Sequence, residues 1–155
     1  MSPAIKIRRL VESDLPSILT IAASADEAPN WPRQTFIEML SGQFSTHRIA
    51  LVAADAGSDD AIGFVIASFV PPEAELEAIA VAGSCQRQGI GRRLLSGLVS
   101  GLRFHGIDAL LLEVRASNRA AIGLYNSFGF NESGRRPRYY SDPIEDAVLM
   151  TFKFQ

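Results

Sequence analysis

The sequence predicts an α/β fold: a mixed central sheet in the order β-α-α-β-β-β-α-β-α-β-β, with helices on both faces. Three observations lead there. Apolar runs at 49–54 and 61–70 flank a polar turn at 55–60, which reads as a hairpin. A strand-like segment at 75–81, a glycine-bearing loop, an amphipathic helix and an apolar run at 109–114 make a right-handed crossover, so those two strands should be parallel. Two further strand-like segments, 130–140 and 147–154, close the chain around a loop holding Asp142 and Pro143. The 155 residues suit one domain, 1–155, with a single substantial core.

Element by element, residues 5–10 alternate apolar and charged, a half-buried strand. Ser13 is placed to cap a helix from Asp14, with Pro16 tolerated in the first turn and Leu15, Ile18, Leu19 and Ala22 as the buried stripe. Residues 28–32 break the chain. Pro32 then opens a short helix carrying Phe36, Ile37 and Leu40, which Gly42 ends. The long helix runs from about Gly89 to Phe104 on Ile90, Leu94, Leu98 and Leu102, and Gly106 stops it. The run at 109–114 is nearly all apolar, as expected of a strand covered on both faces. Ser117 or Asn118 caps the last helix, which extends through Phe128 to Gly129.

Composition narrows the function. The net charge is −2 with both signs interspersed, which argues against a nucleic-acid surface. The single cysteine, Cys85, excludes an internal disulfide and a multi-cysteine zinc site, and His47 and His105 suggest no metal. No signal-peptide pattern and no membrane-length apolar run are present, so a soluble, cytoplasmic protein without a membrane partner is expected.

The chemistry concentrates in Arg87, Gln88, Gly89, Ile90, Gly91 and Arg92. Two glycines and flanking arginines precede a helix N-terminus, where backbone N–H groups lack intrahelical partners and the dipole favours an anion. A phosphate or pyrophosphate is the expected guest. The dinucleotide fingerprint Gly-Xaa-Gly-Xaa-Xaa-Gly is absent, because Leu94 holds its last position.

With residues 112–118 (Leu-Glu-Val-Arg-Ala-Ser-Asn) and 124–130 (Leu-Tyr-Asn-Ser-Phe-Gly-Phe), this loop resembles the GNAT superfamily of acetyl-coenzyme A dependent N-acetyltransferases. Within it, residues 113–118 with Arg138, Tyr139 and Tyr140 are most similar to the RimI-type ribosomal-protein alanine N-acetyltransferases. The resemblance spans the first strand to the last and implies a GNAT-like sheet whose fourth and fifth strands splay. Acetyl-coenzyme A would lie in the splay, its pantetheine paired with the backbone of Ile79, Ala80 and Val81, its pyrophosphate on the amides of Arg87 to Arg92, and Asn118 near the thioester. No metal is implied. On residues alone Asn118 reads as a plain helix cap, and the two roles are compatible.

The same resemblance implies Glu113 as the base that takes the proton of the acceptor amine, Tyr125 as the acid for the leaving thiolate, and the Val81 N–H as oxyanion donor. A carboxylate inside an apolar strand is costly to bury idle, though pairing with a nearby arginine is the competing reading. On residues alone, Tyr125 reads as a packing aromatic. Trp31, Tyr139 and Tyr140 would wall the acceptor slot, with Trp31 reading also as loop packing. Ala78 departs from the family, where a polar residue is expected. Arg135, Arg136 and Arg138 form a basic turn, and Glu73, Glu75 and Glu77 an acidic strand that would favour a cationic peptide by field. The expected acceptor is a protein or peptide N-terminus beginning with a small residue, such as that of a ribosomal protein. The alternatives are a small amine, a lysine side chain, or a coenzyme-binding module without catalysis.

Overall fold

Alternating apolar residues build one seven-stranded sheet from β1 (Ile5–Arg9), β2 (Arg48–Asp55), β3 (Ala61–Val70), β4 (Glu73–Val81), β5 (Ala109–Arg115), β6 (Asn131–Tyr140) and β7 (Glu145–Lys153). The computed structural model describes residues 4–25, 31–40 and 47–155, with the backbone alone at Leu40. The strand order is β1-β2-β3-β4-β5-β7-β6, and only β4 and β5 run parallel. Helices α3 (Ile90–Arg103) and α4 (Arg119–Phe128) cover one face, while α1 (Leu15–Ser24) and α2 (Arg33–Leu40) cover part of the other. The predicted element order is therefore present. Short 3-10 turns at Glu12–Asp14 and Gly83–Cys85 add to it.

Several local expectations need correction. Ser13 does not cap α1. The Asp14 carboxylate instead accepts the Val11 N–H at 2.9 Å and both Arg8 terminal nitrogens at 2.8 Å. Burial pushes the Asp14 pKa upward, but Arg8 and the Val11 N–H outweigh it and hold the carboxyl below its ordinary range. The buried stripe of α1 is Leu15, Ile18 and Ile21, with Leu19 and Ala22 only partly covered. In α2 the buried residues are Phe36 and Met39, and Ile37 is partly covered. Residues 28–30 and Gly42 lie outside the described residues.

Two features of β4 and β5 create the site. Ile66 pairs with Ala78 and Ala67 with Leu76, which leaves Glu77 as an extra residue in β4. Such a bulge turns the strand face over. Accordingly, Ala74 and Leu76 belong to the core under α3, whereas Ala78 and Ala80 belong to the core under α1. The displaced Glu77 carboxylate is held by Arg48 at 2.8 and 3.2 Å.

Beyond the bulge the two parallel strands part. Only Glu73–Glu75 and Ala109–Leu111 are in register, after which β4 stays with β3 and β5 stays with β7. The fifth strand is also not covered on both faces. Leu110, Leu112 and Val114 are buried under the α3–α4 layer, while Leu111, Glu113 and Arg115 are only partly covered on the opposite face. The apolar run signals a strand whose second face is a cavity wall.

Candidate active site

The parted strands leave a cleft of about 1010 Å³ between β4, β5 and the N-terminal turns of α3 and α4. A second cavity, of about 580 Å³, lies on the other side of the β4–β5 junction. Leu112 and Glu113 line both.

The β4 edge of the cleft is a strand missing its partner. The Ala82 N–H bonds the Ile62 carbonyl at 2.8 Å, and antiparallel hydrogen-bonded pairs alternate, so Ala80 and Ala78 direct their backbone polar groups to β3. Ile79 and Val81 then direct theirs into the cleft, where β5 has moved away. Of the three residues expected to pair with a pantetheine arm, Ala80 is committed to the sheet. The Val81 carbonyl accepts the Gln86 Nε2 at 3.2 Å, which ties the loop to the strand end and leaves the Val81 N–H facing the cleft.

At the loop, Gly89 is the residue before α3 and takes φ 78, a left-handed conformation that favours glycine. A Cβ there would meet nothing within 4 Å, so the requirement is conformational. Gly91 differs, because a Cβ would stand 3.0 Å from Leu124 Cδ2. Its missing side chain lets α3 approach α4. Arg87, at φ 63, lines the cleft and has no ion pair among the described residues. Arg92 is more occupied: it donates to the Ser127 carbonyl at 3.0 Å and stacks on Phe128. Ile90 is buried in the core, and Gln88 is exposed and is not among the cleft-lining residues.

A valine at Gly89 must hold this left-handed conformation, at roughly 1–2 kcal/mol, or reshape the turn. Gly89→Val is expected to weaken binding of coenzyme A by about tenfold with the fold retained. Calorimetric titration and circular dichroism check this, and wild-type binding would remove the loop from the anion site.

The other candidates fall around Glu113. Its side chain is 20% exposed and stands 3.6 Å from Arg136, which is 55% exposed. At that separation the pair is a loose ion contact rather than a hydrogen-bonded fork. The Tyr139 phenol is pushed above its ordinary pKa, foremost by the neighbouring Glu113 carboxylate. Glu75 is raised by burial first, then by the charges of Glu113 and Glu77. Tyr139 packs edge-on against Tyr140 at 5.1 Å, and Tyr140 lines the cleft.

Tyr125 is 6% exposed, reaches the cleft and packs 5.5 Å from Phe130. Burial, then the neighbouring Tyr140, raises its phenol well above the usual range. Asn118 caps α4 by accepting the Ala121 N–H at 3.1 Å, and it also lines the cleft. Ala78 lines the cleft beside the bulge.

One site expectation lands elsewhere. Trp31 packs at 5.5 Å on Phe36 and lines neither cavity. Arg135 pairs with Glu132, and the Arg138 N–H bonds Asp146. Arg115, a member of the 112–118 motif, reaches across to the β6–β7 turn. No short-range spacing reveals that contact, because its partners lie 26 to 30 residues away.

Among the described residues no cluster of three His, Cys, Asp or Glu side chains could hold a metal, and no helix is long and apolar enough to cross a membrane. An open strand edge, a helix N-terminus and an arginine without an ion pair among the described residues fit a ligand with a phosphate group and an extended arm.

Comparison with known proteins agrees. The model of the acetyltransferase (GNAT) family matches residues 14–130. The chain is 40% identical over 146 residues to the [ribosomal protein bS18]-alanine N-acetyltransferase of Escherichia coli (strain K12), covering 93% of this chain and 94% of that protein. It is 33% identical to the Haemophilus ducreyi protein of the same name, covering 93% and 97%. The crystal structure of the ribosomal-protein-S18-alanine N-acetyltransferase from Escherichia coli superposes with a TM-score of 0.83 at 38% identity, over 98% of this chain and 95% of that one. The chain belongs to the GNAT acetyltransferase family.

Proposed function

We propose that this protein acetylates the α-amino group of an alanine-initiated protein, a ribosomal protein by analogy with its bS18-modifying relatives, by direct transfer in a ternary complex. The observation that carries the reading is that Glu113 lines both cavities, so one carboxylate stands where a coenzyme and an acceptor would meet. Acetyl-coenzyme A, the family's cosubstrate, supplies an activated acetyl thioester.

Each side chain then has a definite task. The Glu113 carboxylate takes the proton from the acceptor ammonium, directly or through water. The Val81 N–H, turned into the cleft, hydrogen-bonds the acetyl oxygen as charge gathers on it. As the amine nitrogen bonds the acetyl carbon and the carbon–sulfur bond breaks, the Tyr125 hydroxyl, kept protonated by burial, donates to the departing sulfur. The second proton shed by the nitrogen returns Tyr125 to a phenol, and the coenzyme leaves as a thiol. Arg87, the loop amides and the edge of β4 hold the coenzyme, and Tyr139 and Tyr140 flank the acceptor. Glu73 and Glu75 line the acceptor side without an ion pair among the described residues, whereas Glu77 is occupied by Arg48. Their field favours acceptors with a cationic residue close behind the N-terminus.

The test is acetyl transfer from labelled acetyl-coenzyme A to two peptides. One has a free N-terminal alanine and no lysine, and the other has a blocked N-terminus and one lysine. Label on the first alone supports the reading. Label on the second alone makes the protein a lysine acetyltransferase. Label on neither, with coenzyme binding intact, overturns it in favour of a small amine or a binding role.

A further inference from the structure

We infer that Arg115 is a positioning residue for the acceptor wall: its guanidinium fastens the β6–β7 turn to the β5–α4 corner and so fixes Tyr139 and Tyr140 relative to Glu113. The effect on catalysis rests on the proposed path of the acceptor past these tyrosines.

Arg115 ends β5, two residues beyond Glu113 on the same strand face. Its Nη1 donates to the Pro143 carbonyl at 3.2 Å and to Glu145 Oε1 at 3.3 Å, and its Nη2 donates to the Ser141 carbonyl at 3.3 Å. The guanidinium carbon lies 4.5 Å from the centre of the Tyr140 ring. The second oxygen of Glu145 accepts the Ser117 N–H, one residue before the cap of α4. The Arg115 guanidinium and the Glu145 carboxylate together therefore join the strand carrying Glu113, the start of the helix carrying Tyr125, and the turn following the two tyrosines.

The strand ladder ties β5 to β7 as far as the Ala116 N–H bond to the Asp146 carbonyl at 3.1 Å, but it does not secure the end of β6. In the β6–β7 pairing, Arg136 lies opposite Ala147 and the next register pair is Tyr140 with Glu145, so residues 137–139 have no register partner. Arg138 within that stretch sits at φ 54, and its N–H is tied to Asp146 at 2.9 Å. The aromatic end of β6 thus departs from regular pairing where it borders the site. Three donated hydrogen bonds and a stacked ring from Arg115 supply the fixed geometry. A lysine cannot substitute, because it has no planar fork to span two carbonyls and a carboxylate while lying on an aromatic face.

The test uses the full chain with Arg115→Ala and Arg115→Lys. Hydrogen–deuterium exchange, coenzyme A affinity and steady-state kinetics with an alanine-initiated peptide are measured for each. Both variants are expected to exchange faster across residues 137–146 and to raise the acceptor KM about tenfold, with kcat and coenzyme affinity changed less than about threefold. Unchanged exchange, faster exchange with an unchanged acceptor KM, or recovery of both by the lysine variant overturns the proposal. If the wild-type protein fails to acetylate the peptide, the proposed function fails, while the exchange measurement still decides whether Arg115 holds the turn. Should Arg115→Ala not fold, Arg115→Lys, which keeps the charge and the stem but loses the fork, carries the test alone.

Discussion

Glu113→Gln is expected to lower kcat/KM for an alanine-initiated peptide about a hundredfold, with the deficit largest at low pH. An α-amino group has an ordinary pKa of about 7.7–8.0, so below that range most of the acceptor arrives as an ammonium. It must lose a proton before its nitrogen can attack. A carboxylate can take that proton and an amide of the same shape cannot. As pH rises past the amine pKa, the acceptor arrives neutral and the deficit should shrink. The measurement is kcat/KM from about pH 6 to about pH 9 for both proteins.

Glutamine also loses the 3.6 Å contact with Arg136, so Arg136→Gln is the necessary control. A loose, half-exposed ion pair contributes at most about 1 kcal/mol. The control should therefore stay within about tenfold of wild type and keep its pH profile. An unchanged profile in Glu113→Gln would remove this carboxylate as the base, and equal losses in both variants would make it a structural partner of the arginine.

What the sequence discloses about this molecule divides by the range of the interaction. The Asn118 cap is legible because donor and acceptor are three residues apart. The hairpins and the crossover are legible because the period of apolar residues changes between two and three to four. Ser13 and Asp14 are both capping residues by type, and the choice between them falls to Arg8 across the first turn. The bulge at Glu77 leaves no local mark, since residues 73–81 alternate as a regular strand does, and only the pairing with β3 exposes the extra residue. The run at 109–114 shows that two faces are apolar without saying whether a helix or a cavity covers the second. Arg115 and Glu113 are read as members of a motif, but their contacts with the β6–β7 region arise only once the sheet has formed.

Tyr125→Phe is expected to reduce kcat about a hundredfold while leaving coenzyme affinity and the fold nearly unchanged. The ring is 6% exposed and packs 5.5 Å from Phe130, and phenylalanine keeps all of that contact. Only the hydroxyl is lost. Burial, then the nearby Tyr140, raises the phenol pKa, so the hydroxyl holds its proton across the alkaline range and no alkaline break in the rate should trace to it. The departing thiol has an ordinary pKa of about 8.5 and leaves as a thiolate at neutral pH unless a donor meets it. In a cleft walled by Leu76, Leu112 and Leu124, an unpaired thiolate is costly, and the Tyr125 hydroxyl is the donor already present there. Calorimetric coenzyme affinity and steady-state kcat, measured on the same preparation, separate the two readings of this residue. A slowed transfer with normal binding assigns the proton to Tyr125. A binding defect large enough to account for the whole loss returns it to the packing role that its neighbours Leu124 and Phe128 suggest.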